Sequence, residues 1–262
     1  MEAYEPLVSV LIGSFNRELL LERCLDSVFS QSYKNIEVIV VDDASTDNTI
    51  QVLETYKRKY PDKFKYLKNK QNKGISYNSN LAYSISKGDY IALIGDDDEW
   101  CDKDKIRKQI TVFEDDNKLG FVSTYWNDIK DGKVIAKHKP VKSKNIYSQI
   151  LKGNGIYCGS SVVISRKAWE SVKGFDERIK KGTDSDLFRS IIVCGFSTKI
   201  ISFYSTNVYV DDHIRMTPQD SSASKKIALK ANFMALYKFR YQYLKHPKAF
   251  GYRLLTIIKL LR

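Results

Sequence analysis

The sequence predicts an α/β fold: a mixed, mainly parallel sheet flanked by helices, followed by a basic helical tail. Three observations predict it. Short apolar runs alternate with helical patterns through the first hundred residues, the runs are apolar at consecutive positions, and acidic or turn residues close each one. A strand with one wet face alternates apolar and polar residues, whereas a strand covered by helices on both faces reads as an unbroken apolar run. With 262 residues, 43% of them hydrophobic, the chain is long enough to bury a sizeable core.

The elements follow in order. Residues 8–12, 36–41 (IEVIVV), 64–67 and 90–94 read as strands, and residues 19–29, 49–60 and 75–86 as the helices between them. Leu21, Cys24, Leu25 and Val28 stand three and four apart, which puts them on one helix face. Beyond Trp100 the spacing predicts a helix over 103–114 and a strand over 121–126. A hairpin turn at Asp131-Gly132 leads to Val134 and Ile135, followed by a strand over 161–165, a short helix carrying Trp169, a helix over 185–194 and a β-rich stretch over 200–210. No internal repeat interrupts this order.

Composition removes several classes of function. The net charge of +12 is unevenly placed, because residues 216–262 hold ten bases and one acid, Asp220, which leaves +3 for residues 1–215. A nearly neutral body argues against a nucleic-acid partner. Cys24, Cys101, Cys158 and Cys194 form no C-x-x-C pair and only three His accompany them, so they read as reduced, mostly buried thiols. No uncharged apolar run approaches the length of a spanning helix, and MEAYEPLVSV has no signal-peptide pattern, so a cytoplasmic location is expected.

In parallel sheets ligands sit beyond the carboxyl ends of the strands. Three of those ends carry polar clusters: Gly13-Ser14-Phe15-Asn16, Asp42-Asp43-Ala44-Ser45 and Gly95-Asp96-Asp97-Asp98. They are expected to converge. Three consecutive carboxylates repel unless neutralised, and a hard divalent cation, Mn²⁺ or Mg²⁺, shared with a diphosphate is the natural neutraliser; a solvated acidic turn is the alternative. At Asp42 and Asp43 a carboxylate could accept the N–H of a uracil-type base, while Ser45 or Thr46 would cap the next helix. Neither a G-x-G-x-x-G nor a P-loop pattern occurs, so phosphates would be bound through metal. Asp184 and Asp186 read as favourable acids in the first turn of a helix. Trp100 and Trp126 are candidates either for stacking on sugar or base or for the core.

Four segments together resemble the inverting GT-A glycosyltransferases of family 2: PLVSVLIGSFNR, LDSVFSQSYKNIEVIVVDDASTDNT, NKGISYNSNLAYSISKGDYIALIGDDDEW and GSSVVISRKAWESVKGFDERIKKGTDSDLFRSIIVCGF. The resemblance covers roughly residues 6–215. It implies transfer of a hexose or N-acetylhexosamine from a nucleotide diphosphate donor, a UDP-sugar, to a glycan or lipid-linked glycan acceptor in surface polysaccharide synthesis. It implies that Gly13, Ser14, Asn16, Asp42, Asp43 and Asp96 bind the nucleotide, that Asp97, with Asp98 and His213, holds the metal, and that Asp184 is the catalytic base. Arg215 is a lesser candidate for the diphosphate. Residues 1–100 would then form the donor half and residues 101–215 the acceptor half of one domain. The chain departs from the family at Gly95 and Thr183, where many members carry acids, and these departures would permit a second reading, a nucleotide-sugar or anionic-lipid binding module without catalysis.

In the tail, AFGYRLLTIIKLLR sets Arg253, Thr256, Lys259 and Arg262 three apart and leaves Leu254, Leu255, Ile258 and Leu261 largely on the other side. A basic amphipathic helix is expected. Either it packs on the body or it attaches the protein peripherally to the inner, anionic face of the cytoplasmic membrane.

Overall fold

The computed structural model describes residues 5–114, 116–140, 146–153, 157–210 and 222–261. The chain begins β1 (Val8–Ser14), α1 (Leu21–Phe29), β2 (Ile36–Asp42), α2 (Thr49–Lys59), β3 (Phe64–Lys68), α3 (Ile75–Ser84), β4 (Tyr90–Leu93). Every residue of β1 and β2 is buried, including Ser9, whose hydroxyl donates to Glu37 at 2.8 Å across the two strands. The two faces are divided with period two. Val8, Val10 and Ile12 pack with Leu21, Cys24 and Leu25 on one side, while Leu11, Ile39 and Val41 pack with Ala82, Trp169 and Leu187 on the other.

The remaining elements of the body are β5 (Glu99–Trp100), α4 (Lys105–Glu114), β6 (Leu119–Lys130), β7 (Lys133–His138), α5 (Ile146–Lys152), a 3₁₀ turn at Gly159–Ser161, β8 (Val162–Ser165), α6 (Arg166–Val172), α7 (Thr183–Val193) and β9 (Ser197–Tyr209). They complete one sheet in the order β3-β2-β1-β4-β8-β6-β9-β5, with β7 paired to β6. The strands β3, β2, β1 and β4 are parallel, β8 is antiparallel to both β4 and β6, and β9 runs parallel to β6. The sheet is therefore mixed, as expected. Asp131 and Gly132 take φ values of 48° and 71°, which is the two-residue turn that a right-twisted hairpin favours. Two elements were not foreseen: β5, only two residues long, and α5, a single short helix.

The tail folds as α8 (Ser222–Lys238), α9 (Arg240–Lys245) and α10 (Pro247–Leu261). It is not an object apart from the body, because Ala235, Phe239, Tyr243 and Ala249 form a cluster with Leu151 at the end of α5. Within the polar stripe of α10, Arg253 is 6% exposed and turns toward the body. Its guanidinium donates to the Leu151 carbonyl at 3.0 Å, to the Tyr243 hydroxyl at 3.1 Å and to Asn232 Oδ1 at 2.9 Å. These three bonds tie the Arg253 side of α10 to α5, α9 and α8. Leu255, Ile258 and Leu261 are left exposed.

The thiols also differ from expectation. All four are free, but Cys101 and Cys194 are exposed, Cys158 is partly buried and only Cys24 is fully enclosed. A second buried cation, Lys105, lies beneath the sheet. Its Nζ donates to Gln109 Oε1 at 2.8 Å and stands 4.2 Å from the centre of the Trp100 ring. Burial lowers its ammonium pKa to about 7, against 10.5 in an unfolded chain. Between those values the unfolded state holds a proton that the folded state has released, so stability rises with pH, by up to about 1.4 kcal/mol per unit. Denaturant unfolding at about pH 7 and about pH 8.5 will show this rise, and Lys105→Met will be more nearly flat than the wild type over the same interval.

Candidate active site

The polar ends of β1, β2 and β4 do converge. The Asp43 N–H donates to the Ser14 carbonyl at 2.7 Å, tying the exits of β1 and β2 together. Both exits turn through left-handed backbone at non-glycine residues, Asn16 (φ 53°) and Ala44 (φ 67°), a conformation that persists only where neighbours enforce it. Here the enforcement is mutual: Asn16 N donates to Ser45 Oγ at 2.9 Å, and Thr46 N donates to Asn16 Oδ1 at 2.9 Å. The expected capping of α2 by Ser45 or Thr46 is thereby corrected. Ser45 is engaged with the β1 loop, the N-cap position belongs to Asn48, and Asp47 Oδ1 accepts the Thr49 N–H at 3.0 Å.

Asp42 and Asp43 both have partners within the fold. The Asp42 carboxylate is fully buried and accepts the Ser45 N–H at 3.3 Å, with Lys68 Nζ 4.0 Å away. Asp43 accepts the N–H groups of Lys73 and Gly74 and the Asn69 side-chain amide, each at 2.8 Å. Asp43 thus holds the loop from β3 to α3 against the end of β2.

At the end of β4, three carboxylates crowd under two arginines. Asp96 accepts the Phe15 N–H at 3.3 Å and lies 3.5 Å from Arg17 Nε; Asp97, the most open of the three, lies 3.8 Å from Arg17 Nη2. Asp98 accepts the Ser160 hydroxyl, whose oxygen also accepts the Gly95 N–H at 2.9 Å. Burial and the Asp97 charge push the Asp96 carboxyl up to about 7, with Arg17 pulling against them. Burial raises Asp97, and burial with the Asp97 charge raises Asp98 well above the ordinary range. Gly95 leaves room for this crowding, since a Cβ there would lie 2.9 Å from Asp97 Oδ1 and 3.1 Å from Asp98 Oδ2.

Asp184, in the first turn of α7, completes the arrangement. Its carboxylate accepts the Gly159 N–H and the Thr183 hydroxyl, and burial nonetheless raises its pKa. Gly159 is required by closeness, because a Cβ there would meet Asp184 Oδ2 at 2.5 Å. Asp184 and Asp98 line one cavity of about 320 Å³, together with Gly13, Gly95, Cys158, Gly159 and Ser160.

Three residues of this network escaped the sequence reading. Arg17 sits in the quoted N-terminal segment but its partners lie some eighty positions on. Arg23 donates to the Asp97 carbonyl at 2.7 Å and covers the Tyr209 ring at 3.4 Å, and Ser160 bridges β4 to the 3₁₀ turn. Spacing alone gives no signal for such long-range pairs. Of the two tryptophans, Trp100 is a core residue, 2% exposed, with its indole N–H on the Ser160 carbonyl at 2.8 Å. Trp126 stacks on His138 with ring centres 5.0 Å apart. His213 and Arg215 lie outside the described residues.

The carboxylate crowding, the hard oxygen donors and the open position of Asp97 fit a divalent cation. Among the described residues no three His, Cys, Asp or Glu side chains are placed to hold a metal ion by themselves. Phosphate oxygens and water would have to supply the remaining ligands, as is usual for Mg²⁺ beside a diphosphate.

The profile of glycosyl transferase family 2 matches residues 9–173. The chain belongs to that family. It is therefore a glycosyltransferase, and its mixed sheet is the GT-A fold. EpsE of Bacillus subtilis is 31% identical over 199 residues, covering 73% of this chain and 68% of EpsE. WfaP of Escherichia coli, a UDP-Glc:alpha-D-GlcNAc-diphosphoundecaprenol beta-1,3-glucosyltransferase, is 29% identical over 256 residues, covering 94% of this chain and 97% of WfaP. The chain spans a smaller part, 27%, of the Escherichia coli chondroitin synthase, to which it is 29% identical over 191 residues. Among solved structures, the mannosyltransferase PcManGT of Pyrobaculum calidifontis, in complex with GDP-Man and Mn²⁺, superposes with a TM-score of 0.69 at 20% identity, covering 98% of this chain and 72% of that one. That likeness establishes the fold.

The raised carboxyl of Asp96 fixes the direction of a test. A proton competes with the cation below the raised pKa of about 7, and protonation relieves the crowding, so the metal-free fold gains stability as pH falls from there toward the ordinary carboxylate range. Titration calorimetry with Mn²⁺ will therefore give weaker binding as pH falls from about 7 to about 5.5, up to tenfold per unit. Asp97→Ala will abolish the Mn²⁺-dependent rise in melting temperature while leaving the metal-free melting temperature unchanged or higher.

Proposed function

We propose that the protein transfers one sugar, with inversion, from a UDP-sugar to a hydroxyl of a glycan or lipid-linked glycan in surface polysaccharide synthesis. One observation carries the reading: Asp184 and Asp98 line a single cavity at the carboxyl ends of β1 and β4. The nucleotide would lie over Gly13, Ser14, Asn16, Asp42, Asp43 and Asp96, and Asp97, with Asp98 and His213, would hold Mn²⁺ or Mg²⁺. The name of WfaP, which specifies a UDP-glucose donor and a diphospholipid-linked acceptor, supports the choice of UDP-sugar and of acceptor.

The chain's own groups account for the chemistry. Asp184, kept basic enough by its enclosure, takes the proton of the acceptor hydroxyl as that oxygen attacks the anomeric carbon, whose transition state resembles an oxocarbenium ion. Gly159 and Thr183 hold the carboxylate in place. A divalent cation, when bound, offsets the charge gathering on the departing diphosphate. Arg17 stands beside the same carboxylates and offsets part of the repulsion between Asp96 and Asp97.

The membrane reading of the tail also gains support. Among the described residues no helix is long and apolar enough to cross a membrane. Residues 222–261 contain no acid, and Lys225, Lys226, Lys230, Arg240, Lys245, Lys248 and Lys259 are exposed beside Leu255, Ile258 and Leu261. Bases near an anionic leaflet contribute about 1 kcal/mol each. The tail would lie on the inner face of the cytoplasmic membrane, where a lipid-linked acceptor is presented.

Asp184→Asn removes basicity and keeps shape. It will bind UDP with Mn²⁺ almost as wild type does, and transfer to acceptor will drop by at least a hundredfold; near-normal transfer would assign the proton to another group. The binding-module alternative predicts no metal-dependent UDP release from any UDP-sugar by the wild type. In vesicle sedimentation, Leu255→Asp/Ile258→Asp will retain melting temperature and lose most binding to phosphatidylglycerol vesicles, and unchanged binding would defeat the membrane assignment.

A further inference from the structure

A second cavity, of about 190 Å³, lies on the other side of the first turn of α7, between that helix, the end of α5 and the tail helices α8 and α10. Four cations line it, Lys152, Lys181, Arg189 and Arg253, against one carboxylate, Asp186. The two arginines are 3% and 6% exposed. Neighbouring buried cations repel, and each needs counter-charge or very good hydrogen bonding to stay inside a protein.

The counter-charge around them is insufficient. Asp186 Oδ2 is taken by Lys238 Nζ at 2.5 Å, and Asp186 Oδ1 lies 3.5 Å from Arg189 Nη1 without a hydrogen-bond partner. Arg189 Nε donates to the Ile150 carbonyl at 3.1 Å, and the three hydrogen bonds of Arg253 all go to neutral oxygens. A guanidinium carries five N–H donors, so Arg253 retains two. Burial and the Arg253 charge lower the Arg189 pKa to about 10, the response of a cation short of anions.

What fits is a multiply charged, oxygen-rich anion. Planar guanidinium groups match phosphoryl oxygens in paired hydrogen bonds, and a single carboxylate would leave the lining cationic. At about 30 Å³ per water in the liquid, the cavity has room for about six waters, enough for two linked phosphoryl groups. The position is also informative. Gly182 and Ser185 line this cavity while Asp184, between them in sequence, lines the cavity that holds Asp98.

We propose that this cavity is the acceptor's diphosphate subsite: it holds the phosphoryl link of a lipid-borne glycan while the acceptor hydroxyl reaches Asp184 around the first turn of α7. The inference rests on the glycosyl-transfer reading and names its acceptor class. It also gives the basic tail a second task, since α8 and α10, which carry exposed bases, also wall the subsite.

The test uses the full chain, free of metal in EDTA so that the Asp96–Asp98 cluster repels the probe, and at constant ionic strength. Calorimetric titration with inorganic pyrophosphate will show saturable one-to-one binding, at least tenfold tighter than inorganic phosphate. Ala231→Asp, which sets a carboxylate into the lining from α8, will weaken it at least tenfold. Should that variant melt early, Lys152→Ala serves instead and will weaken binding several-fold. Phosphatidylglycerol vesicles added to the cell will leave the pyrophosphate titration unchanged. Four results overturn the proposal: no saturable binding to wild type, binding indifferent to both substitutions, displacement by the vesicles, which would assign the site to a lipid headgroup, or an equal loss of Mn²⁺–UDP binding in the variant, which would put the anion in the donor site. Because no turnover is read, failure of the glycosyl-transfer reading would appear separately, in the UDP-release assay.

Discussion

The mutual repulsion of Asp96, Asp97 and Asp98 is the constraint on which the site depends. Three carboxylates at the end of a buried strand would ordinarily ruin it, because each charge lost from water costs several kcal/mol unless matched. The fold answers with Arg17 from the β1 loop, Arg23 from α1 and the Ser160 hydroxyl from the 3₁₀ turn. These groups come from three separate parts of the chain. The match is incomplete, which is why the carboxyls remain raised and why a hard cation has something to gain by binding.

The same logic, with signs reversed, runs through the other side of α7. There buried arginines outnumber carboxylates, and the deficit lies within a cavity whose wall is the C-terminal tail. Between the two stands one helical turn bearing Asp184. A region short of positive charge and a region short of negative charge thus lie on either side of Asp184; in the proposed reading the first would take the metal-bound donor and the second the anionic acceptor.

Much of the fold was legible because burial on both faces writes itself into consecutive residues. β1, β2 and β4 appear in the sequence as apolar runs, and the Asp131-Gly132 turn announces its hairpin. The candidate donor-site residues that are described fall at the three strand ends where the polar clusters pointed. What remained hidden is long-range or too short for periodicity. Arg17 cannot be paired with Asp96 by inspection, β5 has two residues, and nothing in AFGYRLLTIIKLLR reveals that Arg253 turns inward. The helix is where the periodicity put it, but the pattern does not say which side docks, and Arg253 makes its three hydrogen bonds to groups on α5, α8 and α9.

β8 has a consequence for how the protein comes into being. It is inserted between β4 and β6, antiparallel to both, and it carries the segment after Ser160 into the middle of the sheet. Until about residue 165 has left the ribosome, β4 is an edge strand with an apolar sequence and unpaired backbone groups, ready to pair with another chain. The hydroxyl that Asp98 needs arrives with that same segment. Synthesis therefore makes the acidic strand end before the segment that pairs β4 and brings the Ser160 hydroxyl to Asp98.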